Sequence, residues 1–300
     1  MTSPRHAEAT AQGRYYTHPT TGQRLVSVTN VLSTGVAKPA LVPWAAKVTA
    51  EHVMNNLPSI VARSRTDREG VLRDIKAQVK VTRDKAADLG TRIHALADAH
   101  VTGRQVAWED GDEQAEPFVK QYIAWLADFG VDSQTDIIAA ELTVASPTEG
   151  WAGTLDLIVT LPIGWDESKQ SAYPLERGQR LPWMVDLKTS ATRPAVSVYA
   201  EYAMQLTALR SAREMWLPDD TVVPIERGVV GTAVLNLRQS TYELIPVPSG
   251  PAELAAWHGA LALTKWAHGT GNDITGGEFR PVTPTGRAKP KTTRTRKAAA

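Results

Sequence analysis

Two aspartates and a lysine lie within segments whose other residues are typical of buried strands. Asp156 stands in GTLDLIVTL, and Asp186 and Lys188 stand in PWMVDLKTS. A carboxylate is tolerated in such surroundings when it is hydrogen-bonded, paired with a cation or bound to a metal ion. Strand side chains alternate between two faces, so Asp186 and Lys188 project from the same face. One such aspartate alone indicates a structural role, whereas two on neighbouring strands with a lysine predict a reactive site.

The chemistry that suits these residue types is metal-assisted hydrolysis of a phosphodiester bond. Hard carboxylate oxygens favour Mg²⁺ or Mn²⁺, and such an ion polarises a phosphoryl oxygen and lowers the pKa of a bound water molecule. A neighbouring ammonium group orients the attacking water or offsets the charge that grows on the phosphate. We therefore predict Asp156, Asp186 and the backbone carbonyl of Leu187 as metal ligands, with Lys188 as their catalytic partner.

Four short motifs follow one another between about residues 90 and 209. They are LGTRIHALAD, GTLDLI, VDLKTS and YAEYAMQLTAL. Their order and composition resemble the PD-(D/E)XK nuclease superfamily, and within it the RecB-like exonucleases, including the phage and CRISPR-associated forms. The matched residues are Gly90, His94, Asp156, Asp186, Lys188 and Gln205. The resemblance implies a restriction-endonuclease-like α/β core, with a central mixed β-sheet flanked by helices, and DNA as the substrate.

Two positions depart from the family pattern. Asp98 stands where glutamate is usual, and Leu209 stands where tyrosine is usual. The resemblance implies that His94 completes the coordination of the metal ion, and Asp98 is then expected to accept from the imidazole and fix its tautomer. The alternative for His94 is a structural histidine on an amphipathic helix. Leu209 cannot form a side-chain hydrogen bond, so any role of the family's tyrosine is lost or passes to Tyr202 or Tyr199.

Three further side chains are candidates near the metal ion or the substrate. Gln205 and Tyr202 share a helix face, three residues apart. Gln205 would hold Lys188 or position the phosphate backbone, unless it is an ordinary surface glutamine. Glu141 lies in AAELTVAS, on the strand expected to precede that of Asp156. Relatives often place an acid there near the metal ion, although a solvent-facing role fits the sequence equally well.

The composition excludes several kinds of site and location. The chain contains no Cys, so it has neither a thiolate zinc site nor the Cys-ligated iron-sulfur cluster that many members of the resembled family carry. The N-terminus shows no apolar signal region, and no stretch approaches the roughly 18 apolar residues of a membrane span. We therefore expect no membrane association and a place in the cytoplasm of a bacterial or phage-infected cell.

The hydrophobic pattern divides the chain into helical and extended parts. RYYTHPTTGQRLVSVTNVL predicts a hairpin with its turn at residues 20–22, and helical periodicity follows Pro43, over about 64–101 and 113–129. Strands are predicted in IIAAELTVAS, GTLDLIVTL and LPWMVDLKTS, with an exposed insertion over 163–180. A helix over about 195–216, two strands in GVVGTAVLNL and TYELIPV, and a helix over about 251–268 complete the order.

These patterns predict three parts of the chain: an unstructured segment over residues 1–12, a single nuclease domain over 13–278 and a basic disordered tail over 279–300. Within the domain, 13–130 hold the hairpin and a helical half, and 131–278 hold the nuclease core. From Arg280 onward the chain has seven Lys or Arg and no acid, which leaves 26 bases against 32 acids upstream. The tail either solubilises the chain or contacts phosphates without regard to sequence. Its candidate residues for such contacts are Lys291, Arg294, Arg296 and Lys297.

The leading hypothesis is a Mg²⁺- or Mn²⁺-dependent exonuclease that acts on single-stranded or duplex DNA ends in recombination, repair or genome processing. A recombination protein is a further partner to consider. An endonuclease with the same chemistry and a catalytically inactive protein that binds DNA or a partner are the alternatives. The intact Asp156, Asp186 and Lys188 argue against the inactive protein. An unrelated α/β metabolic enzyme lacks support, because we find no G-x-G-x-x-G, P-loop or G-x-S-x-G motif.

Overall fold

The computed structural model describes residues 5–107, 109–225, 228–276 and 284. Over these residues the chain is an α/β fold with a mixed ten-stranded sheet and a separate two-stranded hairpin. None of the described helices is long and apolar enough to cross a membrane. The predicted tail, with Lys291, Arg294, Arg296 and Lys297, lies outside the described residues apart from position 284.

The N-terminal strands form a meander at one side of the sheet. β1 (Ala7–Thr10) pairs antiparallel with β2 (Gly13–Thr17), which pairs antiparallel with β3 (Arg24–Ser27). The predicted hairpin is confirmed, and Gly22 in its turn has a φ of 69°, which glycine adopts without steric cost. The prediction that residues 1–12 are unstructured is wrong for β1, because its backbone groups find hydrogen-bonding partners in β2.

Helices dominate the chain between β3 and residue 128. They are α1 (Val28–Gly35), α2 (Leu41–Asn55), α3 (Leu57–Ser64), α4 (Arg68–Thr102) and α5 (Glu116–Asp128), with a 3-10 helix at Asp112–Gln114. Local chemistry sets both ends of α4, since Asp67 accepts from the Gly70 N–H and Gly103 takes the left-handed conformation. Its 35 residues extend over about 50 Å, and its buried residues lie near its two ends.

The strands of the sheet follow. They are β4 (Ile137–Ser146), β5 (Trp151–Leu161), the hairpin strands β6 (Ile163–Asp166) and β7 (Ser171–Pro174), and β8 (Leu181–Thr189). β5 pairs antiparallel with both β4 and β8, and β3 adds to β5 in parallel. The predicted insertion over 163–180 is therefore a hairpin, with most of its residues exposed between Glu167 and Gln179.

The last third of the chain contributes α6 (Ala200–Ser211), β9 (Glu214–Trp216), β10 (Val222–Pro224), β11 (Gly231–Leu237), β12 (Tyr242–Val247), α7 (Pro251–His268) and α8 (Thr270–Gly276). The predicted helix over 195–216 is wrong at both ends. Its first residues form a loop, and its last residues form β9, which pairs with β4 and β10. The helix over 251–268 is confirmed as α7.

Helices cover both faces of the sheet, which explains why its central strands are so apolar. On one face α1, α6 and α7 bury Leu32, Leu209 and Trp257 in a cluster with sheet residues. On the other face α4 and α5 bury Ile93 and Trp125 in a second cluster. β11, which pairs in parallel with β8, is buried along all seven residues, as expected for a strand covered on both faces.

Candidate metal centre

The site lies where α4 approaches β8. Gly90 permits this approach, because a Cβ atom there would lie 3.3 Å from the Thr189 hydroxyl oxygen. One turn later Ile93 is fully buried in a cluster that includes Leu187. This packing fixes the rotation of α4 and directs the neighbouring His94 toward the strands.

Three side chains from three elements converge here, and we call them the acidic cluster: His94 of α4, Glu141 of β4 and Asp156 of β5. One ligand atom of each lies within 4.8 Å of the other two. The His94 Nδ1 atom is 3.5 Å from both Glu141 Oε1 and Asp156 Oδ1. Glu141, for which the sequence left a solvent-facing role open, therefore points into the cluster.

Glu141 reaches the cluster through an unusual backbone conformation. Its φ is 49°, in the left-handed region that a non-glycine residue rarely occupies, although it lies within β4. Such a conformation costs on the order of 1–3 kcal/mol and persists where the surrounding structure enforces it. Strain of this kind is concentrated at functional sites, which supports a role for this acid beyond strand formation.

The backbone of β8 holds Asp156 and His94 in place. Leu157 and Val185 are paired across β5 and β8, so Asp156 and Asp186 are the next positions on the two strands. The Leu187 N–H donates to Asp156 Oδ2 at 2.7 Å, and the Leu187 carbonyl accepts from His94 Nε2 at 3.1 Å. A carbonyl oxygen has two lone pairs, so one remains for the metal contact predicted for Leu187.

Asp186, Lys188 and Gln205 form a second group beside the acidic cluster. Lys188 Nζ lies 2.5 Å from Asp186 Oδ2, and the Gln205 amide donates to Asp186 Oδ1 at 2.8 Å. Lys188 also donates to Gln205 Oε1 at 3.4 Å. The expected common face of Asp186 and Lys188 is confirmed, and Gln205 holds both partners. Asp186 is not one of the three residues of the acidic cluster, so its role as a metal ligand stays a prediction.

The predicted contact between Asp98 and His94 is wrong. Both His94 nitrogen atoms face other partners, and the carbonyl of Leu187 takes the place expected for Asp98. Asp98 is buried and pairs instead with the guanidinium of Arg104, just beyond the end of α4. Arg104 is exposed, and its positive charge lowers the pKa of Glu141 and so opposes the rise caused by burial. This cation was missed because its sequence context shows no motif.

Two tyrosines border the second group. Lys188 Nζ lies 5.0 Å from the ring centroid of Tyr202, and the rings of Tyr202 and Tyr199 meet edge to face at 5.4 Å. Leu209, by contrast, is 2% exposed and packs in the core. The position where the resembled family carries a tyrosine is therefore occupied in this chain by a core residue. The aromatic ring that lies against Lys188 is that of Tyr202.

The two aspartates differ in acidity because their surroundings differ. Burial alone would raise the pKa of Asp156, but His94, Lys188 and the Leu187 N–H stabilise its ionised form and the net shift is downward. Burial raises the pKa of Asp186 to about 6, with the charge of Asp156 adding to the rise and Lys188 opposing it. Asp156 is thus a permanent anion near neutral pH, and Asp186 is able to exchange a proton there.

The remaining groups of the site respond to the same charges. Burial would lower the pKa of His94, but Asp156 and Glu141 raise it to about 10. Burial and Asp156 raise the pKa of Glu141, while His94 opposes this rise. Burial would also lower the pKa of Lys188, but Asp186 and Asp156 raise it. The acids therefore favour a positive charge beside them, and a divalent cation would meet that requirement in place of the His94 proton.

No protein-family model and no curated protein sequence matches this chain. The features of this chain that bear on function are accordingly the geometry of the site and the chemistry of its side chains. Both are independent of the sequence resemblance.

Proposed function

We propose that this chain is a Mg²⁺- or Mn²⁺-dependent nuclease that hydrolyses phosphodiester bonds in DNA. The observation that carries the proposal is the placement of Asp186 and Lys188 on β8, with Gln205 of α6 bound to both, directly beside the acidic cluster. Two carboxylates and an imidazole offer ligand atoms, and an ammonium group is held beside them. We further propose that the mixed sheet is a restriction-endonuclease-like core and that the chain belongs with the RecB-like nucleases it resembles.

The donor set of the acidic cluster fits such a cation. Its ligand atoms come from His94 Nδ1, Glu141 and Asp156, and the hydrogen bond from His94 Nε2 to Leu187 leaves Nδ1 directed at the acids. Carboxylate oxygens suit Mg²⁺ and Mn²⁺, and a hydrogen-bonded imidazole is a common ligand partner of carboxylates. When bound, the ion supplies Lewis-acid polarisation of the phosphate and a more acidic water molecule.

The second group supplies the remaining chemistry. Lys188 carries a proton because its pKa is raised, so it donates to a phosphate oxygen and offsets the charge that develops there. Asp186, with a pKa of about 6, is a suitable acceptor for the proton of the attacking water near neutral pH. Gln205 orients both groups through its amide. For Asp186 to become a metal ligand, its carboxylate would have to exchange part of its contact with Lys188.

Incubation of the purified chain with linear and circular DNA, single-stranded and duplex, tests the proposal. We expect degradation of linear DNA with Mg²⁺ or Mn²⁺ and none with EDTA, since the leading proposal is an exonuclease that acts on DNA ends. Cleavage of circles would establish the endonuclease alternative. Tight binding without cleavage by both the wild type and Lys188→Ala would establish the inactive alternative. Such an activity suits the cytoplasm of a bacterial or phage-infected cell, with a recombination protein as a further partner.

A further inference from the structure

The loop between β8 and α6, residues 190–199, contains no helix or strand, yet several of its backbone carbonyls are hydrogen-bonded to other parts of the chain. Two buried side chains near the end of β11 hold it. Asn236 donates to the carbonyls of Ala195 and Ser197 at 2.7 and 2.9 Å. Arg238 donates to the carbonyls of Arg193 and Pro194 at 2.7 and 3.0 Å. Two buried polar residues thus donate four hydrogen bonds to one loop, which indicates that the conformation of this loop is specified by the fold.

This loop carries a cation and an aromatic ring toward Lys188. The guanidinium carbon of Arg193 lies 4.8 Å from the ring centroid of Tyr199. Tyr199 meets Tyr202 edge to face, and Tyr202 lies against Lys188. A continuous path of planar groups therefore leads from the exposed Arg193 to the proposed catalytic lysine. Within the described residues Arg193 makes no salt bridge, so its charge is not committed to an acid of this chain.

We propose that Arg193 and Tyr199 form a stacking site for a nucleobase of the bound strand, close to the phosphate that Lys188 addresses. The proposal deepens the nuclease function and rests on it. Aromatic rings and guanidinium planes stack on the faces of bases without regard to base identity. The arginine also attracts the neighbouring phosphates, as a positively charged binding groove requires.

The dimensions of the path indicate where the stacked base would lie. Its steps measure 4.8–5.4 Å, against a rise of about 3.4 Å per nucleotide in a duplex strand. The stacked base thus belongs to a nucleotide only a few positions from the cleaved bond. A base inside a duplex has both faces covered by its neighbours, so the site selects an unpaired base. Frayed or single-stranded ends are then preferred over blunt duplex ends.

The test compares two strands that have the same phosphates and differ in their bases. Binding of an oligodeoxythymidine and of an abasic strand of equal length is measured by fluorescence anisotropy, with Ca²⁺ in place of Mg²⁺ or Mn²⁺. We expect the wild type to bind the thymidine strand about tenfold more tightly, since stacking on one aromatic group is worth about that much. Tyr199→Leu and Arg193→Lys should lose most of this preference. Arg193→Lys is the sharper variant, because it keeps the charge and removes only the plane.

Matched controls separate stacking from other effects. Tyr199→Phe retains the ring and should retain the preference. Tyr173→Leu alters a tyrosine that is 47% exposed on the β6–β7 hairpin, which carries none of the residues of the site, and should behave as the wild type. Equal binding of both strands by the wild type would overturn the proposal. It would also be overturned if Tyr199→Leu lowered affinity for both strands by the same factor.

A parallel cleavage assay with Mn²⁺ distinguishes this proposal from the nuclease function on which it rests. Cleavage by the wild type without any preference for bases overturns the stacking site and leaves the nuclease function standing. A preference for the strand with bases, without any cleavage, would instead support the stacking site and overturn the hydrolytic function. Thermal melting of each variant shows whether a lost preference reflects a lost fold.

Discussion

His94 uses its two ring nitrogen atoms for separate tasks. Nε2 is held by the carbonyl of Leu187 at 3.1 Å, and Nδ1 faces Glu141 and Asp156. A backbone carbonyl thus holds Nε2 as the donor and leaves Nδ1 toward the acids, the arrangement that an acceptor enforces at metal-binding histidines. Because Leu187 also donates its N–H to Asp156, one residue of β8 positions two members of the acidic cluster.

Asp156→Asn should separate metal binding from folding. The amide oxygen still accepts from the Leu187 N–H, but the charge that would bind a cation is lost. We expect Mn²⁺ affinity, measured by calorimetry, to fall by roughly 10–100-fold or more, and nuclease activity to fall with it. The melting temperature should fall only modestly, because the amide keeps the hydrogen bond from the Leu187 N–H and loses the charge interactions with His94 and Lys188. Asp166→Asn, on the exposed hairpin, is the control, and unchanged Mn²⁺ affinity in Asp156→Asn would place the ion elsewhere.

Lys188→Ala should have the complementary effect. It removes the ammonium group that lies 2.5 Å from Asp186 and leaves the acidic cluster intact. We expect cleavage to slow by roughly 10²–10³-fold, the usual loss on removing one electrostatic contact to a transition state. Mn²⁺ should still bind. Lys169→Ala, whose partner Asp166 lies on the exposed hairpin, is the matched lysine control, and full activity in Lys188→Ala would contradict the proposed mechanism.

At the scale of elements, local pattern predicted what local forces determine. β4 and α7 have the predicted bounds because long runs of one periodicity set them. The predicted start of α6 was wrong because Asn236 and Arg238 hydrogen-bond to the loop that precedes the helix. These contacts join residues that are about forty positions apart in the sequence. β9 and β10 are too short, at three residues each, to show a period.

The same division applies to the site. Asp156, Asp186 and Lys188 stand out because charge in an apolar strand is conspicuous in a sequence. The direction of Glu141 depends on a positive φ, which no residue pattern indicates. The partner of Asp98 depends on where the chain turns after α4, and its choice of Arg104 follows from that turn. The residues of the site were therefore recognisable from their types, whereas the partner of each side chain depended on tertiary structure.

Gly153 of the GTLDLI motif has a packing role that a coupled substitution can reveal. A Cβ atom there would lie 2.7 Å from Leu209 Cδ2 and 2.8 Å from Val28 Cγ2. Gly153→Ala should therefore destabilise the fold by about 1–3 kcal/mol through overpacking, as measured by urea unfolding. In a Leu209→Ala background one of the two close contacts is removed and the contact with Val28 remains, so the cost of the added methyl group should fall without vanishing. Additive effects of the two changes would show that Leu209 does not restrict this position.

A control for that experiment is Gly259→Ala in α7. A Cβ atom at Gly259 meets nothing within 4 Å, and the residue lies in the interior of a helix. Alanine is favoured over glycine there by up to about 1 kcal/mol, so this variant should be at least as stable as the wild type. The contrast between the two glycines then reports contact with neighbours instead of a general effect of removing glycine.

The ion pair that connects α4 to the following 3-10 helix should stabilise the fold to an extent that depends on pH. Arg92 donates to both carboxylate oxygens of Asp112, at 2.7 and 2.6 Å, and holds the pKa of this carboxyl below its usual range. A lowered folded-state pKa stabilises the fold above the unfolded value of about 3.9, and this stabilisation is lost as the pH falls through the folded pKa. Acid should therefore weaken this ion pair.

Asp112→Asn tests that sign. At pH 7 the variant should be less stable by about 1–3 kcal/mol, the range for hydrogen bonds to charged groups. The difference from the wild type should shrink as the pH falls below about 4, because the unfolded state takes up its proton there and folded Asp112 becomes neutral only at its lowered pKa. Chemical denaturation at a series of pH values measures it, with the exposed Asp88→Asn as control. A difference that stays constant down to pH 2 would show that the charge of Asp112 contributes nothing.

At the scale of the whole molecule, positive charge is unevenly distributed along the chain. Residues 41–92, which include α2, α3 and most of α4, hold ten Lys or Arg and six Asp or Glu. α2 and α3 have no buried residues, so their polar groups are available at the surface. Together with the basic tail, this helical half offers attraction for phosphates that the acidic remainder of the chain does not.

Salt dependence of DNA binding can assign that attraction to the tail or to the helical half. Each cation that neutralises a phosphate of a single strand contributes about 0.7 to the slope of log affinity against log salt. Changing Lys291, Arg294, Arg296 and Lys297 to Gln should therefore reduce the slope by up to about 3 if the tail contacts DNA. The matched variant changes Arg65, Arg73, Lys76 and Lys85, which are exposed in the helical half. An unchanged slope in the tail variant would mean that the tail only solubilises the chain. In both variants the preference for unpaired bases should persist, because it depends on Arg193 and Tyr199.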